Sequence, residues 1–560
     1  MTPVSALIPR LEAAADGNGA ITFLGSAADG TDGAPQRVPW GELHDDARRM
    51  AAALQARGIG PGAHVAILGP TTRPLVTSIQ ATWLCGAATV MLPLPMRLGS
   101  IEEFVAQTRA RVRASDAVLS IVDEQLADFL EPAAGDPPIA LLGTLAAEAR
   151  TSGAYARPAD DPDALAILQY TSGSTADPRG VILPHRCVTA NADAIVSAAR
   201  LEVGVDRGVS WLPLYHDMGL IGLLTIPMTT GMDLALAAPQ DFLAAPAQWM
   251  QWCAEFGATA SAGPNFAYAL AARALGRLDR IDLSSWRLAL NGAEPVDPDA
   301  VDRFVAAGAP HGLRASAVFP AFGMAEATLA VTFPEPGSGL TVDVIDGRVL
   351  ENERFASEVD ATQPTARRLA RLGRPVPGLS VRICDPSNDR VMRDREVGEI
   401  EITGTSVTPG YYGRPDATAA AFHDGWLRTG DLGYLADGEL VVCGRIKDVI
   451  ILGGRNVHPQ DVERAIADIE GVRAGNVIAF GARGRRGRES IVVVAEARDT
   501  ESQEGVRQAV AARVRDVVGL PAADVVLVEP GTLPKTSSGK LQRALCRERY
   551  LESAYTIGQG

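Results

Sequence analysis

Residues 40–69 read WGELHDDARRMAAALQARGIGPGAHVAILG, and the change of period inside them decides the fold class. Leu43, Ala47, Met50, Ala51 and Leu54 recur at helical spacing, so the first part predicts an amphipathic helix. HVAILG has no such period. A short apolar run bounded by glycine is the signature of a strand covered on both faces. Between the two lies Gly58-Ile59-Gly60-Pro61-Gly62-Ala63, which fits the pattern G-x-G-x-x-A of a dinucleotide fingerprint. It follows a helix and precedes a strand, the reverse of the order that motif needs. A plain turn is expected there.

The alternation continues outward from this stretch. LVTSIQATWLCGAATVMLP (75–93) is a second helix-to-strand passage, and AVLSIV (117–122) and LAILQY (165–170) are strands. Strands separated by helices from about Val38 to Leu183 predict an α/β architecture with largely parallel pairing. Between Pro334 and Gly373 the chain turns polar with little periodicity, which predicts an insertion over 338–372. SVRICD (380–385) and GEIEITG (398–404), with their turn signals, predict a barrel-like subdomain. After Gly444 a new order begins: strand, helix, strand, strand, helix, strand, from DVIILGG (448–454) to DVVLVEP (524–530). It predicts a compact α+β unit, with a boundary at about Lys447.

Bulk properties narrow the function classes. The 560 residues exceed one ordinary domain. The net charge of -15 argues against bulk attraction to nucleic acid or an anionic membrane. Cys85, Cys187, Cys253, Cys384, Cys443 and Cys546 never form a C-x-x-C pair. That spacing fits neither a zinc site nor a disulfide framework, and a reducing cytoplasm is the expected setting. No signal peptide is expected at the N-terminus. The long apolar stretch Met218 to Ala238 contains Pro227, Asp233 and Thr225, Thr229 and Thr230, so it predicts a core or pocket wall rather than a membrane span.

Three stretches offer chemistry. YTSGSTADPRG (170–180) follows a strand, and small hydroxyl residues with glycine on a tight loop present N–H and O–H donors with little bulk. A polyphosphate needs such a cradle, and Arg179 adds charge. Composition alone favours a solvated Ser/Gly loop. It is not a G-x-x-x-x-G-K-[ST] motif. LPKTSSGKLQR (533–543) reads alone as a mobile basic loop. WLRTGD (426–431) sits in an expected turn before Gly444-Arg445-Ile446-Lys447-Asp448, and an aspartate held there could accept bonds from both hydroxyls of a ribose.

Taken jointly and in order, YTSGST…PRG, NGAEP (291–295), FGMAEAT (322–328), TGD, GRIKD and KTSSGK resemble the adenylate-forming superfamily of acyl-CoA synthetases, luciferases and nonribosomal adenylation domains. The resemblance spans nearly the whole chain. SWLPLYHDMGLIG (210–222), GPNFAY (263–268), GMAEATLAVTF (323–333) and GGRNVHPQDVE (453–463) are most similar to the fatty acyl-AMP ligases, and the polar 338–372 segment lies where that group carries its insertion. In that group the insertion hinders the domain rotation that admits coenzyme A. The resemblance implies a large N-terminal domain (1–446) of two α/β subdomains plus a distorted β-barrel. A small mobile α+β lid (447–560) would follow, hinged at Lys447.

It also implies ATP and Mg²⁺ as cofactors and a carboxylic acid as substrate. The acceptor would be the phosphopantetheine of an acyl carrier protein, or coenzyme A if the enzyme is an ordinary acyl-CoA synthetase. A catalytically silent nucleotide-binding scaffold is the reading from another class. By resemblance, Thr171, Ser172, Gly173, Ser174 and Thr175 with Arg179 hold the β- and γ-phosphates, and Thr175 and Thr328 contact phosphate oxygens. Gly292, Ala293, Glu294 and Phe322 line the adenine, with Gly323 and Met324 beside them. Asp431 and Arg445 take the ribose hydroxyls, Glu326 binds Mg²⁺, His216 meets the substrate carboxylate, and Lys540 is the catalytic cation. Arg179 and Ala176 stand where many members have Lys and Gly, and Phe322 replaces the commoner Tyr. Phosphate charge and ring stacking are retained in both cases. Gly481 to Arg488 is a basic loop, read as a solvated turn or a contact for an acidic carrier.

Overall fold

The computed structural model describes residues 6–28, 34–95, 101–130, 133–171, 179–452, 455–483, 489–497, 503–519, 522, 524–536 and 540–552. The amphipathic stretch at the start of 40–69 is a helix, Trp40–Ala56, and the apolar run after it is a wholly buried strand, His64–Leu68. That strand is central in a six-stranded sheet. The order is Ile139–Leu141, Leu119–Val122, His64–Leu68, Ala88–Met91, Leu165–Tyr170 and Gly180–Pro184, parallel except for the last strand. Gly58 and Gly62 take positive φ (82° and 80°) in the turn before it, as expected of a turn and not of a dinucleotide loop.

A seven-stranded sheet packs beside the first. Its order is Val318–Pro320, Leu288–Asn291, Ala260–Gly263, Arg207–Ser210, Asp233–Ala237, Ala20–Leu24 and Gln36–Pro39. Helices Trp40–Ala56 and Arg73–Leu84 share one core with strands of both sheets. Large indoles in that core keep their N–H groups paired, as burial demands. Trp40 donates to the Met232 carbonyl (2.8 Å) and Trp83 to that of Ala166 (2.9 Å). Met218 to Ala238 forms helical turns and the strand Asp233–Ala237, largely buried. Among the described residues no helix is long and apolar enough to cross a membrane.

Beyond Gly373 the antiparallel strands Leu379–Cys384, Gly398–Gly404, Trp426–Ala436 and Glu439–Arg445 make the third layer. The 338–372 segment departs from its expected lack of pattern. Val342–Asp346 pairs antiparallel with Ala366–Ala370, and helix Gly347–Glu353 lies between them. Ile345, Leu350 and Leu369 pack with Tyr434, Val441 and Cys443. The terminal unit has its own sheet, Val472–Arg483, Glu489–Ala497 and Asp524–Val528, with helices Pro459–Ala467 and Gln503–Val518 sharing its core. All six cysteines are free and buried.

Candidate active site

The seven-stranded sheet aligns the carboxyl ends of four parallel strands, 318–320, 288–291, 260–263 and 207–210. The crevice beyond such ends is where an open α/β sheet binds ligands. Four expected stretches leave from it. His216 follows Ser210, Asn265 and Phe266 follow Gly263, Gly292 to Glu294 follow Asn291, and Phe322 to Met324 follow Pro320.

The backbone at these strand exits is tightly drawn. The Ala321 N–H donates to the Asn291 carbonyl (2.9 Å), fastening the two strand exits. A Cβ on Gly323 would lie 2.1 Å from the Leu329 carbonyl oxygen, so only glycine fits there. Met324 N–H donates to that same carbonyl (2.8 Å). Ala293 (φ 70°) and Thr328 (φ 74°) adopt left-handed backbone without being glycine. Strain of this kind concentrates where a surrounding structure holds a site in shape. Thr328 differs from its expected phosphate contact. It is fully buried, and its hydroxyl donates to the Ser406 carbonyl (2.8 Å), so it braces the backbone of the turn.

Five charged groups converge from separate segments. Glu294 accepts from the Asn265 N–H through Oε1 (2.9 Å); burial raises its carboxyl above the ordinary value while Lys540 pulls it down. Asp431 and Arg445 are cross-strand partners, with Nε 3.0 Å from Oδ1. Burial raises Asp431 too, against Arg445 and, more weakly, Lys540. The Asp217 carboxylate resists an upward push from burial and is held below its ordinary value by His216 and Lys540. His216 Nδ1 is 2.7 Å from Asp217 Oδ1. Lys540 therefore stands in the field of Asp217, Glu294 and Asp431; burial lowers its ammonium, and the acids oppose that shift.

The loop that carries Lys540 is pinned at its mouth. Thr536 N–H donates to the Lys540 carbonyl (2.7 Å), Lys540 N–H to Thr536 Oγ1 (3.1 Å), and Gln542 N–H to the Pro534 carbonyl (2.9 Å). Arg543, just beyond it, holds Glu463 through two contacts of 2.8 and 2.9 Å and also binds Asp448. Lys447 is exposed in the short turn Ile446–Asp448.

Elsewhere, Thr171 N–H donates to the Arg179 carbonyl (3.2 Å), tying together the two residues that flank 172–178. Ser172, Gly173, Ser174 and Thr175 lie outside the described residues, as does most of the basic loop at 484–488. The Arg179 guanidinium lies over the Tyr411 ring, 5.2 Å from its centroid. Burial raises the carboxyl of Glu326, and the Tyr411 hydroxyl donates to its Oε1 (2.9 Å). A buried carboxylate so oriented fits a hard divalent cation that also takes phosphate oxygens. Asp217 and Tyr411 were missed from sequence. Asp217 adjoins His216 in PLYHDMG, where only the histidine drew attention, and Tyr411 in GYYG carries no signal of its own.

Comparison with known proteins agrees with this geometry. Residues 11–412 match the AMP-binding enzyme family and residues 454–547 the AMP-binding enzyme C-terminal domain. A putative ligase of Mycobacterium tuberculosis is 42% identical over 519 residues, covering 91% of this chain and 94% of that protein. JamA of Moorena producens, named a medium-chain-fatty-acid–[acyl-carrier-protein] ligase, is 36% identical over 71% of this chain and 70% of its own length. A solved structure from work on the fatty acyl-adenylate ligases of E. coli and L. pneumophila superimposes with a TM-score of 0.89 at 32% identity, covering 99% of each chain. This chain belongs to the AMP-binding enzyme family and is an adenylate-forming ligase.

Proposed function

We propose that the enzyme joins a fatty or related carboxylic acid to ATP as acyl-AMP, and then passes the acyl group to the phosphopantetheine thiol of an acyl carrier protein. In the first step a carboxylate oxygen attacks the α-phosphorus and the bond from that phosphorus to pyrophosphate breaks. Two anions must approach, and charge builds on the phosphoryl oxygens, so preorganised cations and N–H groups are what the site has to supply. The observation that carries this reading is the electrostatic pull of Asp217, Glu294 and Asp431 on the Lys540 ammonium. A bound triphosphate would add negative charge around this ammonium and favour its protonated form.

The remaining roles belong to the same proposal. Asp431 and Arg445 take the ribose, and residues 292–294 with Phe322, Gly323 and Met324 take the adenine. Arg179 with the 171–175 loop takes the outer phosphates. Glu326 would hold Mg²⁺, which supplies charge neutralisation at the phosphates. His216, oriented by Asp217, meets the acid. Residues 447–560 act as a lid hinged at Lys447, which removes Lys540 once the adenylate has formed. The naming of JamA as a carrier-protein ligase and the 338–372 segment support a carrier thiol as acceptor over coenzyme A.

Acid-dependent exchange of labelled pyrophosphate into ATP tests the first half-reaction. Lys540→Ala is expected to lose at least about 10²–10³ in exchange rate while ATP still binds. A near-normal rate in that variant would remove the mechanism. Incubation with ATP, acid and coenzyme A separates the acceptors: accumulated acyl-AMP supports the carrier reading, and rapid acyl-CoA turnover defeats it.

A further inference from the structure

Tyr411 lies on a short segment that joins two distant parts of the site. Thr408 N–H donates to the Glu326 carbonyl (2.8 Å), and its hydroxyl donates to the Ile182 carbonyl (2.6 Å). Ile182 N–H donates to the Gly410 carbonyl (3.1 Å), and Tyr412 N–H to that of Gly180 (2.8 Å). Residues 408–412 are thus stitched on one side to the turn bearing Glu326 and on the other to the strand that begins just after Arg179. The Tyr411 side chain repeats this bridge at the level of function. Its hydroxyl donates to Glu326 Oε1 and its ring underlies the Arg179 guanidinium. Tyr411 is buried, so its side chain is packed in place between the two groups.

We propose that Tyr411 is a positioning residue that couples the metal-side carboxylate of Glu326 to the phosphate-side guanidinium of Arg179, so that one aromatic side chain sets the spacing of both ends of the triphosphate clamp. The inference rests on the roles given above to Glu326 and Arg179. Its two contacts are chemically separable. The hydroxyl fixes which carboxylate oxygen of Glu326 remains for a cation, as the outer partners of metal ligands do. The ring face confines the guanidinium by cation–π attraction. Removing the hydroxyl alone takes its bonds to Glu326 and Arg179 and leaves the ring face against the guanidinium.

The test is equilibrium binding of ATP to the full chain without acid substrate, measured calorimetrically in EDTA and across a Mg²⁺ concentration series. Tyr411→Phe, which keeps the ring, is expected to bind ATP in EDTA more tightly than Tyr411→Leu, yet to need about tenfold more Mg²⁺ than the parent for the same tightening. Tyr411→Leu is expected to weaken binding under both conditions. A Phe variant whose Mg²⁺ series superimposes on the parent's overturns the proposal, and this holds whether or not the Leu variant folds. Glu326→Gln is the control on the underlying reading. If it keeps the parent's Mg²⁺ response, the metal assignment itself has failed, and the coupling falls with it.

Discussion

At the residue scale, Lys535 and Lys540 share one loop and differ in what they face. The Lys535 ammonium donates to Asn476 Oδ1 (2.6 Å) within its own unit, whereas Lys540 faces acids of the large domain. Composition cannot separate them; the partner does. The same logic governs acid stability at His185. This ring is 3% exposed, opens helix His185–Ala198, and accepts the Leu7 N–H through Nδ1 (3.2 Å). Protonation would remove that acceptor and place a cation at the positive end of a helix. Burial accordingly pushes the imidazole down to about 4 from 6.5. A histidine depressed in the folded state contributes stability that is present above the unfolded value and lost as pH falls toward the folded one. The loss from this group is about 2 kcal/mol at pH 5. His185→Gln should therefore show a smaller drop in urea midpoint between pH 7.5 and pH 5 than the parent. Identical drops would refute the assignment.

At the element scale, the Thr429-Gly430-Asp431 stretch shows where pattern reading succeeds and where it stops. Thr-Gly-Asp suggests a turn, but the residues lie inside the strand Trp426–Ala436, at an irregularity in its pairing with Gly398–Gly404. Gly430 takes φ 74° there, and its N–H donates to Glu399 Oε1 (3.1 Å). Thr429 Oγ1 bonds the Ile400 carbonyl (2.7 Å) and receives the Asp431 N–H (3.1 Å). A bulge re-aims a side chain, here that of Asp431, and only tertiary pairing reveals it. Glu399→Ala strips the acceptor from the Gly430 N–H, at about 1 kcal/mol or more. The Michaelis constant for ATP should rise about fivefold, and the preference for ATP over 2′-deoxy-ATP should shrink. An unchanged preference would free Asp431 from any dependence on the bulge. The hairpin at 342–370 escaped sequence reading for a related reason. Asp343 occupies an inward position that alternation reserves for apolar residues, and it is satisfied by Arg371, Arg395 (3.1 Å each) and the Tyr434 hydroxyl (2.6 Å). Helices such as Trp40–Ala56 were legible because their burial is apolar and local, and the family was legible because several motifs agree in order. A buried acid paired by remote cations has neither signal.

At the scale of the whole molecule, the position of Lys540 depends on what holds the terminal unit against the rest. The 338–372 segment supplies direct contacts. Glu351 takes the Arg455 guanidinium (2.6 Å) and, through its carbonyl, the Asn456 amide (3.1 Å). Arg367 lies 2.9 Å from Asp461 and donates to the Cys443 carbonyl (3.2 Å). Under the proposed lid rotation these contacts would be lost, so they would bias the terminal unit toward the arrangement seen here. Each pair is partly solvent-accessible and worth at most about 1 kcal/mol, a factor of about five in the balance between arrangements. Removing both should shift that balance by up to about 25-fold without touching the crevice. In the Glu351→Ala, Arg367→Ala double variant, exchange of pyrophosphate into ATP should persist, while the ratio of acyl-CoA to acyl-AMP in the presence of coenzyme A should climb. If exchange persists and that ratio stays at the parent's value, these ion pairs do not restrain the lid. The proposed preference for a carrier thiol would then have to rest on the shape of the thiol's approach rather than on the freedom of the lid.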